Sequence, residues 1–295
     1  MNGPHVLGDW GTSRLRLYRV SGGAVTGRLD GSGIGSACAN AAAVLAERLE
    51  QWLCEGPLES VTLCGMAGAR GALVEAGYAP CPADRDLWLQ SRSMRKVSGL
   101  PVTVLPGLSC RSASGVPDVM RGEETQIFGA LSLYPELARG EQVIALPGTH
   151  CKWVRLKDGR VVEFATWPTG ELFALLSEQS TLTGPDTPGT GTFDEGFQRG
   201  LDRGREPVMG AFFEARAARM LDGKSREWSR GLLSGLLIGA ELAPLAAWDE
   251  QIVLIGETSL AALYDRALSR SGRITRVVDA EKSVIAGLQM AKDFA

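Results

Sequence analysis

Apolar and polar positions alternate along this chain with two different periods, and these periods predict strands and helices in turn. Residues 5–30 alternate with period two on both sides of the turn Gly22-Gly23, which predicts three strands joined by tight turns. Residues 41–54 carry apolar side chains at helical spacing, and the runs VTLCGMAG and PVTVLPG predict buried strands. Strands that alternate with helices are typical of an α/β fold.

The three-strand pattern of residues 5–30 returns in the middle of the chain. The runs QVIALPG, HCKWVRL and RVVEFATW predict strands, and Asp158-Gly159 predicts the turn between the last two. Gly11-Thr12 and Gly148-Thr149 occupy matching places, in the first turn of each pattern. The sequence therefore predicts that one small structural device is built twice.

The remaining long segments are predicted to be mainly helical. Residues 118–137 (DVMRGEETQIFGALSLYPEL) are expected to form a helix that Pro135 ends. Further helical patterns occur in ELFALLSEQSTL, PVMGAFFEARAARML, SRGLLSGLLIGAELAPL and, after the strand QIVLIGE, in SLAALYDRAL and EKSVIAGLQMAKDFA. Three glycines share one face of SRGLLSGLLIGAELAPL and are expected to permit close helix packing: Gly231, Gly235 and Gly239.

Length and composition favour a globular protein that binds a small molecule. The 295 residues suit two modest domains, and 44% hydrophobic side chains suffice for a full core. The formal net charge is −3 and Lys and Arg are spread along the chain, so neither nucleic acid nor a membrane is an expected partner. The sequence shows no signal-peptide pattern or membrane-length apolar run, and we therefore expect a soluble cytoplasmic protein.

Cysteine and histidine positions give little support to a zinc site. The six cysteines never form a C-x-x-C pair, and only His5 and His150 could join them as ligands. Free thiols in a reducing compartment are the expected state of Cys38, Cys54, Cys64, Cys81, Cys110 and Cys151.

Two familiar nucleotide-binding motifs are absent or incomplete. A P-loop requires a glycine five residues before Gly-Lys-Ser, but Ala218 stands there before Gly223. The run GSGIGS at 31–36 resembles a dinucleotide-binding loop, but Ser36 replaces its third glycine and no convincing helix follows. Neither run supports a nucleotide site.

The Gly-Thr turns provide another way to hold phosphate. A tight turn between strands directs backbone N–H groups into a concavity, and a threonine hydroxyl adds a donor. Asp9 lies at the end of the first strand, where one carboxylate suits Mg²⁺ that takes its other ligands from water and phosphate. Arg14 and Lys152 follow the two threonines closely and are candidate cations for phosphate. Either turn alone is more simply an ordinary hairpin turn, but the duplication favours phosphate binding.

These motifs resemble a known superfamily. The runs GDWGTSRLRL and LPGTHCKWV look like the phosphate-1 and phosphate-2 hairpins of the proteins related to actin, heat-shock chaperones and hexokinase, and VLIGETSLAALYDRAL looks like their adenosine motif. The closer resemblance is to the 2-dehydro-3-deoxygalactonokinase family. It rests on GMAGARGALVEAGYAPCPA, DVMRGEETQIFGAL, LPGTHCKWV, TWPTGELFALLSEQSTL and LLSGLLIGAEL, which follow one another in that family's order.

The resemblance implies an α/β, two-domain actin-like ATPase (ribonuclease H-like) fold with an interdomain cleft for ATP. It implies an N-terminal domain over residues 1–138 with the first hairpin, and a C-terminal domain over residues 139–295 with the second hairpin and the adenosine motif. ATP and Mg²⁺ are the implied cofactors. The residues expected to bind them are Asp9, Gly11, Thr12, Ser13, Arg14, Gly148, Thr149, His150, Lys152 and Gly256, with Asp9 as the metal ligand.

The resemblance also implies phosphorylation of 2-dehydro-3-deoxy-D-galactonate at its terminal 6-hydroxyl, in galactonate catabolism. Such a reaction needs a carboxylate that orients and deprotonates the accepting hydroxyl. Related sugar kinases place this acid directly after a glycine at a helix start, which Gly122-Glu123-Glu124 matches. Glu123 is the expected base, with glutamate in place of the usual aspartate, and Glu124 is the alternative.

Three further residues are candidates for contacts with the sugar acid. Arg70 follows the glycine-rich end of a predicted strand and could bind a carboxylate through two parallel hydrogen bonds, with Arg111 as the second candidate. Glu171 follows Thr169-Gly170 and could accept bonds from substrate hydroxyls. A surface location without function is the alternative for each of the three.

Two other functions remain open at this stage. One is a kinase of the same superfamily that acts on another sugar or sugar acid, such as 2-dehydro-3-deoxygluconate. The other is a non-catalytic nucleotide switch, which the pair Glu123-Glu124 and Arg70 argue against because a switch needs no base and no clamp for a carboxylate. The expected partner is a small-molecule sugar acid, and the sequence leaves open a homodimer.

Overall fold

The computed structural model describes residues 3–244 and 251–294. Strands and helices alternate within these ranges, which confirms the predicted α/β class. The strands are β1 His5–Trp10, β2 Arg14–Ser21, β3 Ala24–Ser32, β4 Val61–Gly65, β5 Tyr78–Pro80, β6 Ser93–Val97, β7 Leu100–Val104, β8 Gly107–Arg111, β9 Pro117–Met120, β10 Glu141–Leu146, β11 Cys151–Lys157, β12 Arg160–Trp167, β13 Ile252–Gly256 and β14 Thr275–Asp279.

The helices differ widely in length, and short 3₁₀ or π segments accompany them. The α-helices are α1 Ile34–Ala37, α2 Ala41–Glu55, α3 Arg85–Gln90, α4 Glu123–Leu133, α5 Thr169–Ala174, α6 Phe193–Arg203, α7 Val208–Ala211, α8 Glu214–Leu221, α9 Arg226–Leu242, α10 Thr258–Arg270 and α11 Ala280–Lys292. The 3₁₀ segments are Cys38–Asn40, Met66–Gly68 and Pro135–Ala138, and a π segment covers Leu175–Gln179. None of the helices in the described ranges is both long and apolar enough to cross a bilayer.

Two large sheets repeat one strand order. The first has the order β3-β2-β1-β4-β7-β6 and the second has the order β12-β11-β10-β13-β14, while β5, β8 and β9 form a small third sheet. In each large sheet the first strand of the predicted three-strand pattern also pairs in parallel with a later strand, β1 with β4 and β10 with β13. The predicted repeat is confirmed, and it extends to the parallel neighbour.

The chain divides into two compact units whose segments interleave along the sequence. The first unit comprises Met1–Gln142, Val154–Ala165 and Val278–Ala295, and the second comprises Val143–Trp153 and Thr166–Val277. The domain boundary near residue 138 stays a prediction.

Residues 118–137 do not form one helix, so this prediction was wrong. Strand β9 ends at Met120, and α4 begins only at Glu123. Gly122 separates them with a φ of 111°, a conformation that side chains rarely adopt. The short strand β9 escaped the pattern analysis because it pairs with β8, a neighbour that periodicity alone does not reveal.

The core of the first unit lies between its large sheet and α2. Leu45, Leu49 and Trp52 follow one another at helical spacing on α2 and are buried among the side chains of the sheet. The strand residues of this cluster are Val6, Trp10, Leu15, Leu17, Val61, Leu63, Val97, Leu100, Val102 and Val104. Burial of these apolar faces fixes where each strand ends, and thereby fixes the turns that follow.

Helix α11 packs against α4 within the first unit at a distance that only glycine permits. A Cβ atom at Gly129 of α4 would overlap with the backbone of Ser283, and one at Gly287 of α11 would overlap with the carbonyl oxygen of Thr125. The contact lies within two turns of the start of α4. Helix α11 therefore supports the helix end that carries Glu123 and Glu124.

Helices α6 and α9 pack in the same way within the second unit. Cβ atoms at Gly231 and Gly235 of α9 would overlap with the carbonyl oxygens of Phe193 and Phe197. Gly204, directly after α6, faces Gly239, so that the two backbones are in direct contact. The close packing predicted for the three glycines of α9 is confirmed.

We expect Gly235→Ala to destabilise the protein because its new methyl group has no room. Overpacking of a core typically lowers the free energy of unfolding by about 1–3 kcal/mol. Gly210→Ala is a matched control, because a Cβ atom at Gly210 of α7 has no heavy atom within 4 Å. Thermal unfolding followed by circular dichroism compares the two variants. A Gly235→Ala midpoint as high as that of the control would contradict the packing described here.

Candidate active site

The first Gly-Thr turn joins β1 to β2 and is held by backbone hydrogen bonds. The N–H groups of Ile34 and Gly35 donate to the carbonyl oxygens of Gly11 and Thr12, at 3.0 and 2.9 Å. A Cβ atom at Gly33 would overlap with Thr12, so the chain closes tightly on the turn. The side chains that the turn leaves exposed are those of Thr12, Ser13 and Arg14. Hydrogen bonds thus hold the backbone of the turn, while its side chains are exposed to solvent.

Asp9 lies near the end of β1 with its carboxylate largely buried. Its Oδ2 is 3.4 Å from Nη2 of Arg16, the residue opposite it on β2, and the Cys64 thiol donates to its Oδ1 at 3.8 Å. Burial raises the pKa of Asp9, and the charge of Arg16 opposes that shift. Arg16, which the sequence analysis did not select, is therefore the cation in contact with Asp9.

The surroundings of Asp9 suit a magnesium ion better than a metal that needs several side-chain ligands. No group of three or more His, Cys, Asp or Glu side chains that could hold a metal ion occurs within residues 3–244 and 251–294. A metal bound at Asp9 would take most of its ligands from water or phosphate, as Mg²⁺ commonly does.

The paired glutamates at the start of α4 have different environments. The backbone N–H of Arg121 donates to Glu123 Oε2 at 3.0 Å, and the Glu123 side chain is partly exposed. Glu124 is fully buried, and both of its carboxyl oxygens lie 2.8 Å from the N–H of Gly122. Burial, and then the charge of Glu123, raise the pKa of Glu124 to about 8.

Asp9 and the start of α4 converge on Gly65, the last residue of β4. A Cβ atom at Gly65 would lie 3.5 Å from Asp9 Oδ1, and one at Gly122 would lie 3.4 Å from the Cα of Gly65. Burial, and then the charges of Asp9 and Glu124, raise the pKa of the Cys64 thiol beside them. The first unit thus brings together the predicted metal ligand and the predicted catalytic pair.

The two arginines predicted to bind substrate differ in their contacts. Arg70 is exposed in the loop after β4, and its side chain makes no hydrogen bond or ion pair with any described residue. Arg111 is also exposed, but its Nη1 donates to the carbonyl oxygen of Gly115 at 3.0 Å and so closes the β8–β9 hairpin. Arg70 is the one whose donors are available to a ligand.

Arg121, which sequence reasoning missed, connects the Arg70 loop to α4. Its Nη2 donates to the carbonyl oxygens of Ala76 and Gly77 at 2.6 and 3.2 Å, and its guanidinium lies 4.2 Å from the centre of the Tyr78 ring. Its Nε and Nη1 are buried without a hydrogen-bond partner among the residues that the structure describes. Its position directly before Gly122-Glu123-Glu124 was the only signal available in the sequence.

The second Gly-Thr turn joins β10 to β11 and contacts the start of α5. The N–H of Glu171 donates to the carbonyl oxygen of Thr149 at 3.0 Å, and a Cβ atom at Gly170 would overlap with the turn. Nε2 of His150 lies 2.8 Å from Oε2 of Glu171, with both side chains half exposed. The structure thus pairs a predicted nucleotide-binding residue with a predicted substrate-binding residue.

Two other predicted nucleotide-binding residues lie close to this turn. A Cβ atom at Gly256, the last residue of β13, would lie 3.4 Å from the side chain and from the carbonyl oxygen of Pro147, the residue before the turn. Lys152 follows the turn on β11, but its side chain is buried and its ammonium group donates to Thr166 Oγ1 at 2.9 Å. The role of Lys152 as a phosphate ligand stays a prediction.

A cavity of about 160 Å³ lies beside the second turn, within the second unit. Its walls are mostly apolar or aromatic, and Arg230 lies over the Phe173 ring at 5.4 Å. The residues that line it are Gly148, Thr169, Gly170, Phe173, Phe193, Arg230, Ser234, Leu237, Ile238, Leu260, Leu263 and Tyr264. Such a lining suits a flat, weakly polar ring system.

The remaining histidine and the cysteines have other environments. His5 Nε2 lies 2.9 Å from Oε1 of Gln289, a contact within the first unit. All six cysteines are free thiols, of which Cys38 and Cys54 are exposed and Cys64 and Cys151 are buried.

Comparison with protein families identifies the group to which the chain belongs. A model of the family 2-keto-3-deoxy-galactonokinase matches residues 9–291. A Rhizobium meliloti (strain 1021) protein named Probable 2-dehydro-3-deoxygalactonokinase DgoK1 is 35% identical over 96% of this chain and 94% of its own length. The 2-dehydro-3-deoxygalactonokinase of Escherichia coli (strain K12) is 34% identical over 98% of this chain and 97% of its own. The chain belongs to the 2-keto-3-deoxy-galactonokinase family, as its motifs indicated.

Solved structures with the same fold agree with this assignment. The crystal structure of a Sinorhizobium meliloti protein described as a 2-dehydro-3-deoxygalactonokinase has a TM-score of 0.88 at 35% identity. The match covers 99% of this chain and 98% of that protein's chain. The activator of the 2-hydroxyisocaproyl-CoA dehydratase from Clostridium difficile, with bound ADPNP, has a TM-score of 0.53 at 12% identity, over 98% of this chain and 96% of its own. These similarities confirm the predicted actin-like ATPase fold.

Glu124→Gln should change how stability depends on pH. The folded protein keeps a proton on Glu124 up to about pH 8, whereas the unfolded chain releases it near the ordinary value of 4.5. The free energy of unfolding therefore falls as pH rises between these values, by at most about 1.4 kcal/mol per pH unit. The amide variant keeps the shape of the side chain and should lose this part of the dependence. Urea unfolding of both proteins at several pH values tests this, and parallel curves would count against the buried carboxyl described here.

Proposed function

We propose that this member of the 2-keto-3-deoxy-galactonokinase family transfers the γ-phosphate of ATP to the terminal 6-hydroxyl of 2-dehydro-3-deoxy-D-galactonate, in galactonate catabolism. The observation that carries the proposal is the family match over residues 9–291, which spans both Gly-Thr turns and the acidic start of α4. The names of the curated relatives support this substrate.

The two Gly-Thr turns and Gly256 are the proposed sites of nucleotide binding. Both turns hold their backbone through bonds from neighbouring chain segments to their carbonyl oxygens, which supports a preformed backbone for phosphate. The dehydratase activator with the same fold was solved with bound ADPNP, an analogue of ATP. We further propose that the cavity beside the second turn, which Phe173 and Arg230 help to line, takes the adenine ring.

Asp9 is the proposed ligand of Mg²⁺. When bound, the ion would neutralise charge on the phosphates of ATP. Arg16 now balances the charge of Asp9, and the same contact would keep the carboxylate in place before the ion binds. The nearby Cys64 is a weak donor that leaves the Asp9 oxygens available.

Glu123 is the proposed base. Its carboxylate is partly exposed, and a backbone N–H fixes one of its oxygens, so it can orient the accepting hydroxyl and take its proton as the new bond to phosphorus forms. Glu124 is a poorer candidate because it is fully buried and holds a proton near neutral pH. Its bonds to Gly122 instead support the turn from which Glu123 projects.

Arg70 is the proposed partner of the substrate carboxylate. Its guanidinium is exposed and makes no hydrogen bond or ion pair with the described residues, whereas Arg111 donates a hydrogen bond within its own hairpin. Arg121 would hold the Arg70 loop relative to Glu123, through its bonds to Ala76 and Gly77. Glu171, paired with His150, remains the proposed acceptor for substrate hydroxyls.

Measurement of ADP release tests the reaction and its base together. We expect ADP release with 2-dehydro-3-deoxy-D-galactonate, and less with the gluconate-derived epimer and with neutral sugars. Glu123→Gln should lower kcat by roughly 10²–10⁴-fold, the range for a positioned general base, with a much smaller change in KM. Glu124→Gln is the matched control and should be milder. A faster reaction with another sugar acid would change the substrate, and a larger loss at Glu124 would move the base there.

Arg70→Ala should mainly weaken binding of the sugar acid. The substrate carboxylate is present throughout the reaction, so removal of the Arg70 guanidinium should raise the sugar-acid KM. We expect a rise of about tenfold or more, the effect of one charged hydrogen bond, and a nearly unchanged ATP KM. Arg111→Ala is the control, because it removes a guanidinium that already bonds to Gly115. Steady-state kinetics with each substrate varied in turn distinguish the two. An unchanged sugar-acid KM in Arg70→Ala would exclude Arg70 as the clamp.

A further inference from the structure

A fully buried glutamate, Glu241, lies at the C-terminal end of α9, within the run LLSGLLIGAEL. Glu241 Oε1 accepts a hydrogen bond from Trp153 Nε1 at 2.6 Å, and its Oε2 accepts one from the Tyr264 hydroxyl at 2.7 Å. The Thr169 hydroxyl also donates to Oε2. A carboxyl group that is removed from water must be matched by such donors, and here three different elements supply them.

Each of these donors belongs to an element beside the second Gly-Thr turn. Trp153 lies on β11, which begins directly after the turn. Thr169 is the first residue of α5, and the next two residues of α5 contact Gly148 and Thr149. Tyr264 lies on α10, within the predicted adenosine motif, and lines the cavity together with Thr169.

We propose that Glu241 is a positioning residue that holds the second Gly-Thr turn at a fixed distance and orientation from the cavity. The proposal rests on the proposed function in one respect, namely that a nucleotide has its base in the cavity and its phosphates at the turn. Glu241 touches neither part of such a ligand and acts through Trp153, Thr169 and Tyr264. It therefore matters only for a molecule that occupies both places at once.

Glu241→Gln would disturb these hydrogen bonds without changing the size of the side chain. Glutamine offers one acceptor oxygen and two N–H donors, so it cannot accept all three bonds. The Trp153 indole can only donate, and the Thr169 and Tyr264 hydroxyls would have to reverse and accept from the amide, so any hydroxyl that cannot turn loses its bond. The three elements would then shift relative to one another, while the lining that α9 itself contributes to the cavity keeps its place.

The test compares a ligand that spans both places with ligands that occupy one of them. Calorimetry on the full chain measures binding of the ATP analogue ADPNP, of adenosine and of pyrophosphate to the wild type and to Glu241→Gln. We expect the affinity for ADPNP to fall by about tenfold, the effect of one or two lost hydrogen bonds, with changes below about threefold for adenosine and for pyrophosphate. A general loosening of the unit would weaken all three alike.

Two further variants keep the proposal open to refutation. Ser229→Ala removes another fully buried hydrogen bond of α9, from the Ser229 hydroxyl to the Ala215 carbonyl oxygen at 2.9 Å, and should leave the binding of all three ligands unchanged. Trp153→Phe removes one donor to Glu241 outside the cavity lining and should weaken ADPNP selectively, to a smaller extent. It provides the test if Glu241→Gln does not fold.

The outcomes separate this inference from the proposed function. Equal ADPNP affinity in the wild type and the two variants would overturn the role of Glu241, and so would an equal loss for ADPNP, adenosine and pyrophosphate. Failure of the wild type to bind ADPNP at all would instead refute the nucleotide site itself, and with it the premise of the inference.

Discussion

In each unit, parallel pairing of one hairpin strand with a later strand positions the predicted site residues of that unit. Because parallel strands end at the same edge of a sheet, the loop after β4 lies beside the end of β1, and the end of β13 lies beside the end of β10. Gly65 thereby meets Asp9, and Gly256 meets Pro147. In each unit the antiparallel hairpin provides the Gly-Thr turn, and the parallel strand beside it ends in the glycine that lies next to that turn.

Local sequence signals predicted the parts of this arrangement that depend on nearby residues. The Gly-Thr hairpins were predictable because alternation and turn glycines are short-range signals, and the glycine face of α9 was predictable from helical spacing. The small sheet of β5, β8 and β9 was not, because its strands are short and β5 pairs with β8 across a long stretch of chain. Glu241 escaped notice for the same reason, since its donors lie 88, 72 and 23 residues away.

The family pattern of a glycine followed by an acid points to the start of α4, and burial separates the two candidates there. Glu123 and Glu124 are neighbours with the same chemistry, and each accepts a hydrogen bond from a backbone N–H. Only the fold turns one toward solvent and the other into the interior, where its charge is unfavourable. The contact of Arg16 with Asp9 also depends on the fold, because the register of β1 and β2 places these two residues opposite each other.

The packing of α11 on α4 has a consequence for the order in which the protein is made. Helix α4 leaves the ribosome before the second unit, and α11 leaves it afterwards, yet the two helices meet through Gly129 and Gly287 with their backbones in contact. During synthesis the start of α4 therefore lacks its contact with α11 while the residues of the second unit emerge. The helix end that carries Glu123 and Glu124 thus completes its packing only at a late step, when α11 has been made.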